Sequence, residues 1–133
     1  MSTVVQPEGW AVPRGYSNGI VAQGKMLFVG GQVGWNPKSP TPEFPTGFAA
    51  QFEQAMANLL EVVRAAGGKP ENVCRLTIYV CDKKEYLGSL KELGASWRKH
   101  FGRHYPAMAL VQVVALVEDL ARVEIEATAV LES

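Results

Sequence analysis

No apolar run in the 133-residue chain approaches the roughly 20 residues that span a bilayer. Cysteine is scarce: Cys74 and Cys81 are the only two, and both stand in what reads as one strand. At about 3.3 Å per residue they lie roughly 23 Å apart, and their odd offset points them to opposite faces, which excludes a disulfide between them. An excess of either charge is lacking too, since thirteen Lys plus Arg balance thirteen Asp plus Glu. That leaves little attraction to nucleic acid or to an anionic membrane surface, and little repulsion to keep copies apart. Met1 to Trp10 has neither the basic region nor the apolar stretch of a signal peptide. What is there is globular: 47% hydrophobic and 20% charged residues are too apolar for disorder and suit one compact domain. The expectation is a reduced, cytoplasmic protein with a single domain over residues 1–133 and no nucleic-acid or membrane partner.

Pro7, Gly9, Pro13 and Gly15 make the first fifteen residues read as an irregular arm. Ile20–Ala22 and Met26–Val29 are short apolar stretches joined by Gln23-Gly24-Lys25, the pattern of a hairpin. The second runs into Gly30-Gly31-Gln32-Val33-Gly34, whose glycines signal a bulge or a close approach to the backbone. A proline-rich loop over 36–47 follows. Phe48, Phe52, Met56, Leu59 and Val63 then recur at helical spacing, with Thr46 placed to cap the helix and Gly67-Gly68 to stop it. Val73–Val80 alternates, with Cys74, Leu76, Ile78 and Val80 on one face and Arg75, Thr77 and Tyr79 on the other. A second helix is expected from Asp82, Glu85 completing a capping box. Tyr86, Leu90, Leu93, Trp97 and Phe101 form its stripe, and Gly102 ends it. Pro106 opens a strand to about Leu116, Glu118-Asp119 turns the chain, and Arg122–Leu131 is the last strand.

The order β-β-α-β-α-β-β predicts an α+β sandwich, one mixed sheet with two helices on a single face. The other face carries Arg75, Tyr79, Gln112, Glu124 and Glu126, and is either solvated or covered by another copy.

Few side chains signal chemistry by themselves. His100 and His104 are four apart, but Phe101 stands where a zinc-protease pattern needs glutamate, and Gly102 breaks the helix between them, so no metal site is expected. Cys74 faces the helices and reads as a buried structural thiol, and Cys81 has no cation placed to lower its pKa. Ser17, Ser89 and Ser96 lack the surroundings of an activated serine. Gly24, Gly30, Gly31 and Gly34 precede a proline-rich loop rather than a helix, so they do not cradle a phosphate. Glu124 and Glu126, two apart on one strand, place their carboxylates about 6 to 7 Å apart on the same face. Closed off from water, repulsion and desolvation would raise one pKa and make a general acid; open to water, they are surface charges.

Several strings resemble the YjgF/RidA family, once labelled endoribonuclease L-PSP. They are Gly15-Tyr16-Ser17, Val29 through Gly34, Gln51 through Asn58-Leu59, Ala65-Ala66-Gly67, Thr77 through Asp82, Tyr105-Pro106-Ala107 and Val123 through Ala127. The resemblance implies a chorismate-mutase-like fold and a homotrimer with ligand clefts between subunits. It also implies hydrolysis of reactive imines or enamines, such as 2-aminoacrylate, to a keto acid and ammonia, with no cofactor or metal. Carried over by position, Tyr16 lines the cleft, the Gly31 backbone touches the ligand, and Glu124 takes part in proton transfer with an ordered water.

The family's carboxylate-binding arginine falls on Met108. A guanidinium offers a bidentate fork and a thioether offers neither charge nor donors. Losing such a clamp costs about 2 to 5 kcal/mol when the partner charge stays buried. Leu110, on the same face, makes the cleft more apolar still. Three readings follow. The cleft takes a larger or less acidic imine or enamine, like the longer ring-cleavage products that are substrates of the family's 2-aminomuconate deaminases, against Met108, Leu110 and Trp35. Alternatively, Arg14 or Arg103 reaches the cleft and replaces the missing cation. In the third, Met108 plugs the arginine's space and the trimer is a non-catalytic binder of a small molecule or a regulator.

Overall fold

The computed structural model describes residues 2–132, so Met1 and Ser133 lie outside the described part. Strands β1 (Ser2–Val5), β2 (Gly19–Ala22) and β3 (Lys25–Val33) precede helix α1 (Phe48–Ala65). A 3₁₀ turn (Pro70–Asn72), β4 (Val73–Val80), α2 (Lys83–Leu87), α3 (Leu90–Phe101), β5 (Ala107–Gln112) and β6 (Val123–Leu131) follow. Four strands make a mixed sheet in the order β3-β6-β4-β5, with β4 and β5 parallel and the other pairs antiparallel. β3 and β5 are therefore its two edges. The expected α+β layering is present, with helices α1 and α3 on one face. Met56, Leu59, Leu60 and Val63 of α1 are buried with Leu76, Ile78, Ile125 and Ala129 of the sheet and with Leu93, Trp97 and Phe101 of α3. No helix among the described residues is long and apolar enough to cross a membrane.

Several local expectations are corrected. β2 does not form a hairpin with β3; it pairs with β1, from Ser2 opposite Ala22 to Val5 opposite Gly19. Gly24 lies hard against the Leu131 carbonyl, so the corner carries the chain onto β6 instead of folding it back. The arm is thus not wholly irregular, because its β-branched Thr3-Val4-Val5 forms a strand. Thr46 caps nothing: the N-cap is Gly47, without a side-chain bond. The second helix breaks at Gly88-Ser89 into α2 and α3. Asp82 does cap α2, accepting from the Lys84 amide at 2.9 Å. Glu85 makes no capping box, because its carboxylate accepts from Arg122 Nε at 2.9 Å instead.

A register shift between Val73 and Arg75 bulges β4 at Cys74. Val73 is buried as a result and Cys74 is only half-buried, its thiol 3.4 Å from the Asn72 carbonyl. Burial still pushes that thiol's pKa up. β5 stops at Gln112 rather than near Leu116, leaving Val114 and Val117 fully exposed in the connection to β6. Gln112 leaves the open face as well: it pairs with Val80, on the helix side, and its Oε1 accepts from the Lys83 amide at 2.9 Å.

Two buried amides of α1 hold irregular backbone in place. Asn58 donates to the Val33 and Trp35 carbonyls at 3.1 and 2.9 Å. Gln51 donates to the Leu120 carbonyl at 3.0 Å and accepts from the Arg122 amide at 2.8 Å, fixing the entry to β6. Replacing a buried donor strands its partners, which costs about 1–3 kcal/mol. Asn58→Leu is expected to lower the unfolding free energy by that amount in urea titrations.

Glu53 joins α1 to α3, accepting from Lys99 Nζ at 2.9 Å, His100 Nε2 at 3.1 Å and Ser96 Oγ at 3.2 Å. The Lys99 and His100 hydrogen bonds hold its carboxyl below the usual range. A depressed carboxyl contributes stability above its unfolded pKa and loses it as pH falls through the folded value. Glu53→Gln should therefore lower Tm slightly at pH 7, by the equivalent of under about 1 kcal/mol for so exposed a cluster. In melts at successively lower pH the gap to wild type should close below about pH 4.

Candidate functional site

Tyr16, Met108 and Leu110 come together on the helix side of the sheet. Met108 and Leu110 are opposite Leu76 and Ile78 on the edge strand β5, and both are half-buried against the core. With α3 and the arm they wall a cavity of about 470 Å³. Trp97 forms the back of it, stacked on Phe101 at 4.4 Å and on Tyr105 at 6.0 Å, its Nε1 donating to the His104 carbonyl at 3.0 Å. Leu90 and Tyr86, expected in the core stripe, line the cavity as well: Tyr86 of α2 is half-buried against the core, and Leu90 at the start of α3 is exposed. The arm is tied down by Ser17. Its amide donates to the Pro106 carbonyl at 3.0 Å and its buried hydroxyl donates to the Tyr105 carbonyl. This pairing sets Arg14 and Tyr16 at the cavity, and gives Gly15-Tyr16-Ser17 and Tyr105-Pro106-Ala107 a shared physical reason.

Glu124 and Gly31 lie elsewhere, on the open face of the sheet beside the other edge. The β3 ladder slips between Val29 and Gln32, so Gly30 and Gly31 form the expected bulge. The Glu124 carboxylate rests on the Gly31 backbone, where a β-carbon would overlap it. Glu124 is opposite Tyr79 in the ladder, and the Tyr79 hydroxyl donates to Glu126 Oε2 at 3.1 Å. That hydrogen bond, with the charge of both glutamates, raises the Tyr79 pKa. The face around them is apolar as well as charged: Phe28 is 71% exposed, and Met26 and Val111 are exposed too.

The chain therefore brings Arg14, Tyr16, Met108 and Leu110 to one site and Gly31 with Glu124 to another, at opposite edges and on opposite faces of one sheet. Arg103 is exposed just past α3 and does not line the cavity. Trp35 is also away from it, packed on Phe44 at 5.9 Å. The two histidines go separate ways, His100 to Glu53 and His104 Nε2 to the Val73 carbonyl at 2.6 Å. Arg98 is a cavity residue that the sequence reading missed. Its signal was the spacing Gly94…Arg98, one helical turn, with the glycine inside the helix.

The comparisons agree with this architecture. The Endoribonuclease L-PSP family profile matches residues 10–131. The 2-iminobutanoate/2-iminopropanoate deaminase of Rattus norvegicus is 35% identical over 115 residues, 86% of this chain and 79% of its own. The Escherichia coli K12 protein of the same name is 36% identical over 110 residues, 80% of each chain. The crystal structure of YyfB, a Rid-family protein from Yersinia pestis, superposes with a TM-score of 0.84 at 33% identity over 98% of both chains. Escherichia coli TdcF with bound serine superposes with a TM-score of 0.68 at 30% identity, over 93% of this chain and 92% of its own. With a profile match running from the arm to β6, the chain belongs to the Endoribonuclease L-PSP family, also called YjgF/RidA.

Proposed function

We propose that the chain is a hydrolytic imine and enamine deaminase whose clefts form between the subunits of a cyclic homotrimer. The observation that carries this reading is the separation just described, with Glu124 seated on Gly31 beside edge β3 and Met108 with Leu110 on edge β5. A head-to-tail ring that packs the open face beside one copy's β3 edge onto the next copy's β5 edge joins the halves. The same ring covers Phe28, Met26 and Val111, a patch of the kind that marks an interface. The names of the rat and Escherichia coli relatives support the chemistry.

In the joined cleft, water adds to the imine carbon while the Glu124 carboxylate takes its proton. The proton passes to nitrogen to give a carbinolamine, whose hydroxyl proton then also moves to nitrogen as the C–N bond breaks, and ammonia leaves a keto acid. An enamine first takes a proton at its terminal carbon to become the imine. Met108 and Leu110 give the cleft an apolar wall, which suits a substrate larger than 2-iminobutanoate, on the scale of 2-aminomuconate. Cys74 and Cys81 are both free, in keeping with a reduced, cytoplasmic setting.

The test is ammonia and keto-acid release from freshly generated imines and enamines, small and large. Turnover that favours the larger substrates is expected. Met108 supplies no charge, and that favours a second reading, a ligand-binding trimer without catalysis. A wild type inert on the whole panel yet able to bind keto acids would establish it in place of the first.

A further inference from the structure

The cavity between α3 and β5 carries charge of one sign. Arg14 enters from the arm and Arg98 from α3, and no carboxylate lines the walls. Neither belongs to the ion pairs of the described residues, which are Lys99–Glu53, His100–Glu53 and Arg122–Glu85. Both side chains are exposed where they line the cavity. Long side chains in a helix lie back toward the residue four before them, which for Arg98 is Gly94. Its guanidinium stands 3.5 Å from where a Gly94 β-carbon would be. Glycine inside a helix is destabilising relative to alanine, and here it leaves bare backbone for Arg98 to lie across. On the arm, Gly15 has φ 80°, a conformation that side-chain-bearing residues avoid, and Ser17 is anchored just beyond it.

Beneath the two cations lie Leu90, Leu93, Trp97, Met108 and Leu110. A cationic rim over an apolar floor complements a molecule with a carboxylate at one end and an apolar body at the other. A volume of about 470 Å³ falls in the range of small-molecule sites and is far more than a three-carbon acid fills. We propose that Arg98, together with Arg14, clamps the carboxylate of a 2-imino acid whose aromatic or branched alkyl side chain fills the cavity. Arg98 takes over, from a neighbouring helix, the anion contact that Met108 cannot make. The inference deepens the proposed function and rests on it for the reacting carbon.

Calorimetric titration with stable probes tests it: phenylpyruvate, its methyl ester and pyruvate. Wild type should bind phenylpyruvate at least about tenfold tighter than either of the others, since the ester lacks the anion and pyruvate the body. Arg98→Gln and Arg14→Gln should each weaken phenylpyruvate about tenfold and leave the ester unchanged. Gly94→Leu, whose side chain takes the space beside the Arg98 guanidinium, should weaken phenylpyruvate about tenfold and leave the ester unchanged while thermal melts show a folded protein. Equal or tighter binding of pyruvate overturns the inference. So does an Arg98→Gln variant that leaves phenylpyruvate affinity unaltered, or one that weakens acid and ester alike. The two proposals fail separately. Glu124→Gln should still bind phenylpyruvate even if no imine is turned over, and imine turnover with unaltered affinities in both arginine variants would leave the deaminase standing and remove this clamp.

Discussion

Glu124→Gln is expected to lower kcat for imine hydrolysis by about 10²–10⁴-fold, the range that a positioned general acid or base contributes. The amide keeps the shape of the side chain and its packing on Gly31, so Tm should stay at the wild-type value. Position matters as much as chemistry here. Glu124 takes part in none of the side-chain hydrogen bonds or salt bridges found among the described residues, and its carboxylate is located by the bulge beneath it. Gly31→Ala puts a methyl group where that carboxylate lies, and should cost activity on a similar scale although Glu124 itself remains. Stopped assays on freshly generated imines, read as ammonia and keto acid, decide both. Full activity in Glu124→Gln would remove the residue from the chemistry.

The second large effect concerns assembly. Wild type should sediment as three chains of 14.5 kDa, and Phe28→Asp as one. Phe28 projects from the open face opposite Thr128, with its ring 71% exposed in the single chain. A stable interface buries about 800 Å² per partner around a few large apolar anchors, and a carboxylate at such an anchor must be desolvated on association. Glu126 and Arg75 both line the shallow depression beside Phe28, so the new carboxylate meets one charge of each sign and the loss of the apolar anchor decides the outcome. Little intrachain packing is lost with so exposed a ring, and the circular dichroism of the monomer should remain that of the wild type. Deamination should vanish with the trimer, because each copy would hold only half of a cleft.

The layers of the fold were legible because long-period patterns report them. Phe48 to Val63 and Leu93 to Phe101 repeat at helical spacing, and Ile125, Ala127 and Ala129 alternate on β6, so the buried faces follow from period alone. What failed was local chemistry decided by partners distant in sequence. Glu85 fits a capping box until Arg122, 37 residues on, takes its carboxylate. Cys74 fits the inward phase of β4 until the bulge against β6 shifts it outward. The strand in the arm was masked by Pro7 and Gly9, although Thr3-Val4-Val5 had the composition of one. The candidate residues of the site were proposed from resemblance, since Glu124 looks like any strand glutamate and Tyr16 like any loop tyrosine. Their division between two edges was invisible, because strand order, which makes β3 and β5 the edges, is not written in the order of elements. Arg98 was overlooked because a charged residue in the last turn of a helix ordinarily serves the helix dipole.

The most direct test of a shared cleft is complementation between two inactive variants. Glu124→Gln disables the β3 edge, and Met108→Asp disables the β5 edge by placing a carboxylate in the apolar wall where the substrate's apolar body must sit. Each variant alone should be inactive. Unfolded together and refolded as an equal mixture, they should form clefts with two intact halves at about one quarter of all interfaces, by random assembly of a head-to-tail ring. The account predicts recovery of about a quarter of wild-type activity in the mixture. A mixture as inactive as its two components, in trimers shown to contain both chains, would contradict it.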